Sequence, residues 1–185
     1  RAAAVSAAPI VAFGEDWGRH PSSTQHLMAH LSRERRILYC ESVGLRRPRL
    51  ADAGRAAEKL RAAFAGARGP QGGARQAGEG AGGDAARPEA VLSPPAAPFP
   101  GARLARAANR ALWRRSVGRR AAAMGLERPI LWTSLPTALD ARDAVAHRAL
   151  VYYCGDEFGA LDGVDHGPVL ALERELAAAA DLIVV

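Results

Sequence analysis

Short apolar runs recur along the chain and are separated by longer segments with helical spacing. The runs show little alternation of polar and apolar residues, which is typical of strands that are buried on both faces of a sheet. They lie at residues 9–13, 36–40, 90–92, 129–133, 149–153 and 181–185. Strands of this kind that alternate with helices predict an α/β protein with a doubly wound, parallel sheet of about six strands.

The segments between these runs carry the signals of helices. Ser22 and Gln25 form an S-x-x-Q capping box, which predicts a helix over residues 23–35. Pro168 suits the first turn of a later helix, in which apolar residues recur every three or four positions. The other predicted helices cover residues 52–64, 102–123, about 137–147 and 168–180.

Residues 66–88 interrupt this alternation. They include eight glycines and almost no bulky apolar side chain. Such a segment cannot bury enough surface to offset the entropy lost when it becomes ordered. We therefore expect one domain over residues 1–185, with residues 66–88 inserted as a flexible glycine-rich loop before the third strand.

Unusual polar loops follow the carboxyl ends of the predicted strands, which is the edge where ligands bind to open parallel sheets. Carboxylates can bind sugar hydroxyls, an indole can stack on a sugar ring, and a helix start near Ser22 can hold a phosphate. A carboxylate after the fifth strand could orient or deprotonate an attacking hydroxyl. The candidate substrate-binding residues are Glu15, Asp16, Trp17, Gly18, Arg19 and His20, and the candidate catalytic residues are Asp156 and Glu157.

A purely structural interpretation of the same loops stays open. Arg19 and Asp16 could form an ion pair in a capped loop, with Trp17 tucked against the fold. Asp156 and Glu157 could be solvent-exposed loop acids or helix caps. The residue types alone do not separate these two interpretations.

Arginines dominate the predicted helix at residues 102–123. The chain has 25 lysines and arginines against 19 aspartates and glutamates, a net charge of +6, which favours anionic partners. Arg106, Arg110 and Arg114 share one helical face. A basic face of this kind predicts contact with an anionic membrane surface, and a solvated face is the alternative. No recognised motif supports binding of nucleic acid, so none is expected.

The sequence has no fingerprint for a bound cofactor. The G-x-G-x-x-G pattern of dinucleotide-binding proteins is absent. His26 and His30 have the spacing of metal ligands on a helix, but no third ligand accompanies them. We therefore expect no cofactor and no metal site. Two cysteines without a disulfide framework, and the absence of a run of about 18–20 apolar residues, favour a cytoplasmic protein.

Five segments carry a resemblance when they are taken in order: "EDW" after the first strand, "RILYCESVGLRRPRL", "RPILWTSLPT", "VYYCGDEF" and "LERELAAAADLIVV". Together they resemble the N-terminal half of bacterial glycosyltransferases of the GT-B type, which contain two Rossmann-like domains. The resemblance is to enzymes that build exopolysaccharide or teichuronic-acid-like polymers. Gly155 stands where many of these relatives have a histidine.

The resemblance implies transfer of a sugar from a nucleotide-diphosphate donor to a hydroxyl acceptor in the cleft between two domains. This half would hold a sugar or lipid-linked acceptor at the inner face of the membrane. The nucleotide-sugar would be bound mostly by a second domain that is absent from this chain. Two alternatives stay open: a different nucleotide-sugar-binding enzyme, such as an epimerase, and a non-catalytic α/β interaction module.

Overall fold

The computed structural model describes residues 7–41, 74–75, 86–97, 99–162, 164 and 166–185. The predicted helix at residues 52–64 and most of the predicted glycine-rich loop lie outside these residues. The described elements are β1 (Ile10–Gly14), α1 (Ser23–Leu31), β2 (Ile37–Glu41), β3 (Ala74–Arg75), β4 (Ala90–Leu92), α2 (Arg103–Ala123), β5 (Ile130–Thr133), a 3-10 helix (Pro136–Ala141), β6 (Ala149–Tyr153), α3 (His166–Ala179) and β7 (Leu182–Val184).

These strands form one sheet in the order β3-β4-β2-β1-β5-β6-β7. Ile10 of β1 is in register with Ile37 of β2 on one side and with Ile130 of β5 on the other. Six of the strands are parallel, and the short edge strand β3 pairs antiparallel with β4. Numbered alone, the parallel strands have the order 3-2-1-4-5-6 of a Rossmann sheet, whose direction of winding reverses between β1 and β5. The predicted fold class is confirmed.

The two faces of the sheet are covered by different helices. Met28 of α1 packs on Ile10, Ala12 and Tyr39 from one face. The larger cluster on the opposite face combines β-strand residues with α2, α3 and the 3-10 helix. At its centre, Trp113 is 1 % exposed and donates a hydrogen bond from Nε1 to the Pro95 carbonyl at 2.9 Å. This bond ties α2 to the segment that follows β4.

Two predicted helices differ from the observed ones. α1 ends at Leu31 because the amides of Arg33 and Glu34 bond to carbonyls three residues back, at 3.3 and 3.1 Å, rather than four. The Ser32 hydroxyl also bonds back to the Ala29 carbonyl at 2.7 Å. The α-helix predicted over residues 137–147 is wrong: only the 3-10 helix forms there. Beyond it the chain turns, which brings the Ala144 carbonyl close to Gly118 of α2. A continuing helix would not make this approach.

An ionic cluster joins α2, the 3-10 helix and α3. Arg106 lies 3.1 Å from Asp140 and 2.9 Å from Glu175, and Arg110 lies 3.4 Å from Asp140. Burial raises the pKa of the Asp140 carboxyl, although Arg106 and Arg110 oppose the shift. The hydrogen bond from Arg106 lowers the pKa of Glu175.

This cluster corrects the expected membrane-facing set. The Arg106 side chain is only 20 % exposed and its guanidinium contacts two carboxylates, so it does not lie on an open surface. Arg110 is also turned towards Asp140. Arg114 is exposed, as expected. Among the described residues, no helix has the length and apolar character needed to cross a membrane.

Candidate functional site

The loop after β1 is organised by the side chain of Gln25, which is mostly buried. Its Oε1 accepts a hydrogen bond from the Gly18 amide at 2.9 Å. Its Nε2 donates to the carbonyls of Asp16 and His20 at 3.2 and 3.0 Å. Gly18 has a φ of +76°, a conformation that glycine adopts without strain. The loop therefore has a defined shape before any ligand arrives.

Tyr39 of β2 also holds this loop in place, through a hydrogen bond from its side chain. Its ring is fully buried, and its hydroxyl donates to the Glu15 carbonyl at 2.9 Å. Burial raises the pKa of Tyr39, and the nearby carboxylates of Glu15 and Glu41 raise it further. The hydroxyl thus stays protonated and remains a hydrogen-bond donor.

The Trp17 indole packs partly against Tyr39. Its ring meets the Tyr39 ring edge-on with centroids 4.8 Å apart, and its amide donates to Glu41 Oε1 at 3.1 Å. The side chain is half-buried, so part of the indole is packed and part remains open to solvent. Both the tucked tryptophan and the stacking surface considered from the sequence are compatible with this position.

Carboxylates surround the loop, and several already have partners. Glu15 accepts a hydrogen bond from the Ser22 hydroxyl at 3.0 Å. Glu41 accepts from the Ser93 hydroxyl as well as from the Trp17 amide. Asp16 forms the ion pair with Arg19, at 3.1 Å, that the structural interpretation expected. Both members of this pair are more than half exposed, so it contributes little to stability.

The start of α1 lies between the two predicted site loops. Ser22 caps the helix by accepting a hydrogen bond from the Gln25 amide at 3.2 Å, as half of the predicted capping box requires. The second half is not formed, because the Gln25 side chain is used in the loop. Glu15 places its carboxylate beside this positive helix end. A phosphate bound there would meet the charge of Glu15.

The loop after β6 approaches the same helix start. A Cβ built on Gly155 would lie 3.7 Å from Ser23 Oγ, so the loop backbone lies close to the Ser23 side chain. Glu157 Oε1 accepts from the Gly159 amide at 3.3 Å, and the fully buried Phe158 anchors the loop. Asp156 is exposed, and its carboxylate has no hydrogen bond within the described part of the chain.

β5 lies between β1 and β6 in the sheet, so its carboxyl end lies between these two loops. Thr133 Oγ1 accepts from the Leu135 amide at 3.1 Å and donates to the Leu135 carbonyl at 2.9 Å. The Ser134 amide donates to the Phe13 carbonyl at 3.2 Å, which links the ends of β5 and β1. We use the name switch-point crevice for the region at the carboxyl edge of the sheet that contains the two loops, the start of α1 and this end of β5.

The structure brings the sequence-predicted residues to the same edge of the sheet: residues 15–20 follow β1 and residues 155–157 follow β6, and β5 lies between these two strands. Sequence reasoning missed the side chains that shape it, namely Gln25, Tyr39 and Glu41. Glu41 could have been found as the first polar residue after a buried strand. Within the described residues no group of three histidine, cysteine, aspartate or glutamate side chains could hold a metal ion.

Replacing Gly14 with alanine should destabilise the protein. The new Cβ would overlap the Tyr39 hydroxyl and lie 3.3 Å from Thr24 Cγ2. Because Tyr39 is fully buried, its ring cannot move aside freely. We expect urea denaturation to show a loss of about 1–3 kcal/mol in the free energy of unfolding.

Gly167→Ala is the matched control, since a Cβ there meets nothing within 4 Å and the residue lies in α3. It should leave stability unchanged or raise it by up to about 1 kcal/mol. Adding Tyr39→Phe to Gly14→Ala should recover part of the loss. Equal losses in both alanine variants would show that the contact with Tyr39 is not the cause.

A scan against protein-family models and a search of curated proteins found no match for this chain.

Proposed function

We propose that this chain is the acceptor-binding half of a glycosyltransferase. The enzyme would move a sugar from a nucleotide-diphosphate sugar to a hydroxyl acceptor during synthesis of a cell-surface polysaccharide or glycolipid. It would act in the cytoplasm, at the inner face of the membrane. The donor would be held mostly by a domain outside this chain.

The acidic character of the switch-point crevice carries this proposal. The chain as a whole has a net charge of +6, yet Glu15, Asp16 and Glu41 lie on one side of the crevice and Asp156 and Glu157 follow β6 on the other. Arg19, the cation of the first loop, is paired with Asp16. Within the described residues, this edge accepts hydrogen bonds from hydroxyls and repels phosphates, which fits an acceptor better than a nucleotide.

The partners of each carboxylate suggest separate roles. Glu15 accepts a hydrogen bond from Ser22, and Glu41 accepts from Ser93 and the Trp17 amide. These two carboxylates therefore shape the crevice. Among the described residues Asp156 has no such partner, and it is exposed in the loop after β6. It is therefore the best candidate to orient or deprotonate the attacking hydroxyl.

The open part of the Trp17 indole offers an apolar face near these acceptor atoms. An apolar face flanked by hydrogen-bond acceptors matches a sugar ring, which has apolar carbon–hydrogen faces and polar edges. The ordered loop lowers the entropy lost when an acceptor binds, because Gln25 and Tyr39 already fix its backbone. Positioning of the acceptor hydroxyl against the donor carbon would then supply much of the rate enhancement.

Ligand titration followed by backbone amide NMR tests the proposal. We expect neutral saccharide acceptors to shift amide signals in residues 14–20 and 155–157, and uridine diphosphate to shift them weakly or not at all. The 185-residue chain alone should not turn over repeatedly. Glu15→Gln is the matched variant, because it keeps the shape and should improve binding of phosphate at the start of α1.

Three other outcomes would each contradict the proposal in a different way. Tight binding of a nucleotide at these amides would support a nucleotide-binding enzyme of another kind. Absence of saccharide binding at any of them would favour an interaction module. Repeated sugar transfer by the chain alone would contradict the division into an acceptor half and a donor half.

A further inference from the structure

Two large apolar side chains are exposed where the chain enters α2. Phe99 is 54 % exposed and Leu104 is 86 % exposed. Leu104 lies at the centre of the helix side that is opposite the buried residues Trp113 and Val117. Small exposed residues continue this side along the helix, namely Ala107, Ala108 and Ala111. We call this side, together with Phe99, the α2 outer face.

Unpaired positive charge borders the α2 outer face. Residues 103–123 include seven arginines and no acidic residue. Arg106 and Arg110 are neutralised by Asp140 and Glu175 in the ionic cluster. Four arginines are exposed and form no ion pair within the residues that the structure describes: Arg103, Arg114, Arg115 and Arg119.

We propose that the α2 outer face docks on the surface of an anionic phospholipid bilayer. Leu104 and Phe99 would enter the boundary between headgroups and acyl chains, and the four exposed arginines would contact lipid phosphates. Arg103 and Arg114 lie to one side of Leu104, and Arg115 and Arg119 continue the face towards the end of the helix. Apolar side chains combined with arginines are typical of helices that lie in this boundary. A nucleic acid would satisfy the arginines but would leave Leu104 in water, so the apolar centre favours lipid.

Because of the position of the α2 outer face, docking would also place the switch-point crevice near the bilayer. α2 begins after β4, at the edge of the sheet where the parallel strands end, and the turn at Gly101 lies against Pro168 of α3. Phe99 and Leu104 are therefore at the same edge as the switch-point crevice. Docking would hold that edge at the bilayer surface, within reach of lipid-linked molecules. The inference itself does not depend on the proposed sugar transfer.

Cosedimentation with vesicles tests the docking surface without any sugar substrate. The 185-residue chain should bind vesicles of phosphatidylcholine mixed with phosphatidylglycerol, and should bind pure phosphatidylcholine vesicles much more weakly. Replacing Arg114 and Arg115 with glutamine should lower the partition coefficient about fivefold per charge. Phe99→Gln with Leu104→Gln should lower it at least about tenfold, since several buried CH₂ groups are lost.

Matched controls lie elsewhere on the molecule. Leu182→Gln changes a 54 % exposed leucine on β7, and Arg33→Gln with Arg174→Gln removes two exposed arginines from other surfaces. These variants should bind vesicles like the parent. Circular dichroism of every variant should show unchanged helix content, so that a loss of binding is not a loss of fold.

Four results would overturn the proposal. The parent could fail to bind anionic vesicles, or the α2 variants could bind as well as the controls. The chain could bind single- or double-stranded DNA through the same arginines without binding vesicles, which would identify a nucleic-acid surface. Analytical ultracentrifugation could instead show a dimer that Leu104→Gln dissociates, which would assign the face to a second copy of the chain.

Discussion

Arg106→Gln is expected to lower the free energy of unfolding by about 3 kcal/mol at neutral pH. The substitution leaves the Asp140 carboxylate, whose side chain is only 5 % exposed, without its main partner. A buried charge that loses its partner typically costs about 3–5 kcal/mol. The low end applies because Arg110 stays 3.4 Å from Asp140. Urea denaturation followed by circular dichroism measures the effect.

The pH dependence of this loss follows from the two carboxylates. Burial already raises the pKa of Asp140, and removal of Arg106 raises it further. The penalty is therefore full at neutral pH and shrinks as the pH falls through the raised pKa, where Asp140 takes up a proton. Arg106 also lowers the pKa of Glu175, and the stability from that contact is lost in the parent as the pH falls through the lowered pKa. Both effects bring variant and parent closer together in acid.

Two further variants separate the cluster from a general effect of charge. Arg114→Gln removes an exposed arginine of the same helix and should change stability by less than about 0.5 kcal/mol. Asp140→Asn added to Arg106→Gln should recover part of the loss, because it removes the unpaired buried charge. A small loss in Arg106→Gln, or one that is the same at neutral and acidic pH, would show that Asp140 does not depend on Arg106.

The strands could be predicted from the sequence because they are buried on both faces. Burial on both faces produces continuous apolar runs such as 149–153, whose bounds match β6 without change. The start of α1 was also readable, since Ser22 caps the helix by a local hydrogen bond to the Gln25 amide. The order of the strands then places the loops after β1 and β6 on opposite sides of the reversal of winding.

Other features depend on side-chain contacts that the local sequence pattern does not reveal. Arg106 lies 34 residues from Asp140 and 69 from Glu175, so a helical arginine stripe looked like one uniform surface. Gln25 fits a capping box by position, yet its side chain binds Gly18 and two loop carbonyls. The predicted helix over residues 137–147 is cut short because the residues after the 3-10 helix pack on Gly118 of α2. The sequence of residues 137–147 gives no sign of this contact.

Asp156→Asn is expected to lower the rate of sugar transfer by about 10²–10⁴-fold, the typical loss when a general base or orienting carboxylate is removed. The assay requires this chain joined to its proposed donor-binding domain. Asparagine keeps the shape of the side chain and can still bind a hydroxyl, but it cannot take a proton. The fall should therefore appear in kcat, with a much smaller change in the affinity for the acceptor.

Two other acids, whose partners the structure shows, provide the controls for Asp156→Asn. Glu157 is already bonded to the Gly159 amide, so Glu157→Gln should reduce transfer far less. Asp143→Asn changes an exposed acid that is paired with Arg142 in the segment before β6, and should leave transfer unchanged. The stability of Asp156→Asn should stay within about 0.5 kcal/mol of the parent, since its carboxylate is exposed.

If Glu157→Gln abolishes transfer and Asp156→Asn does not, the proton is taken by Glu157 and its bond to Gly159 must open during the reaction. If neither changes kcat, the loop after β6 does not supply the base.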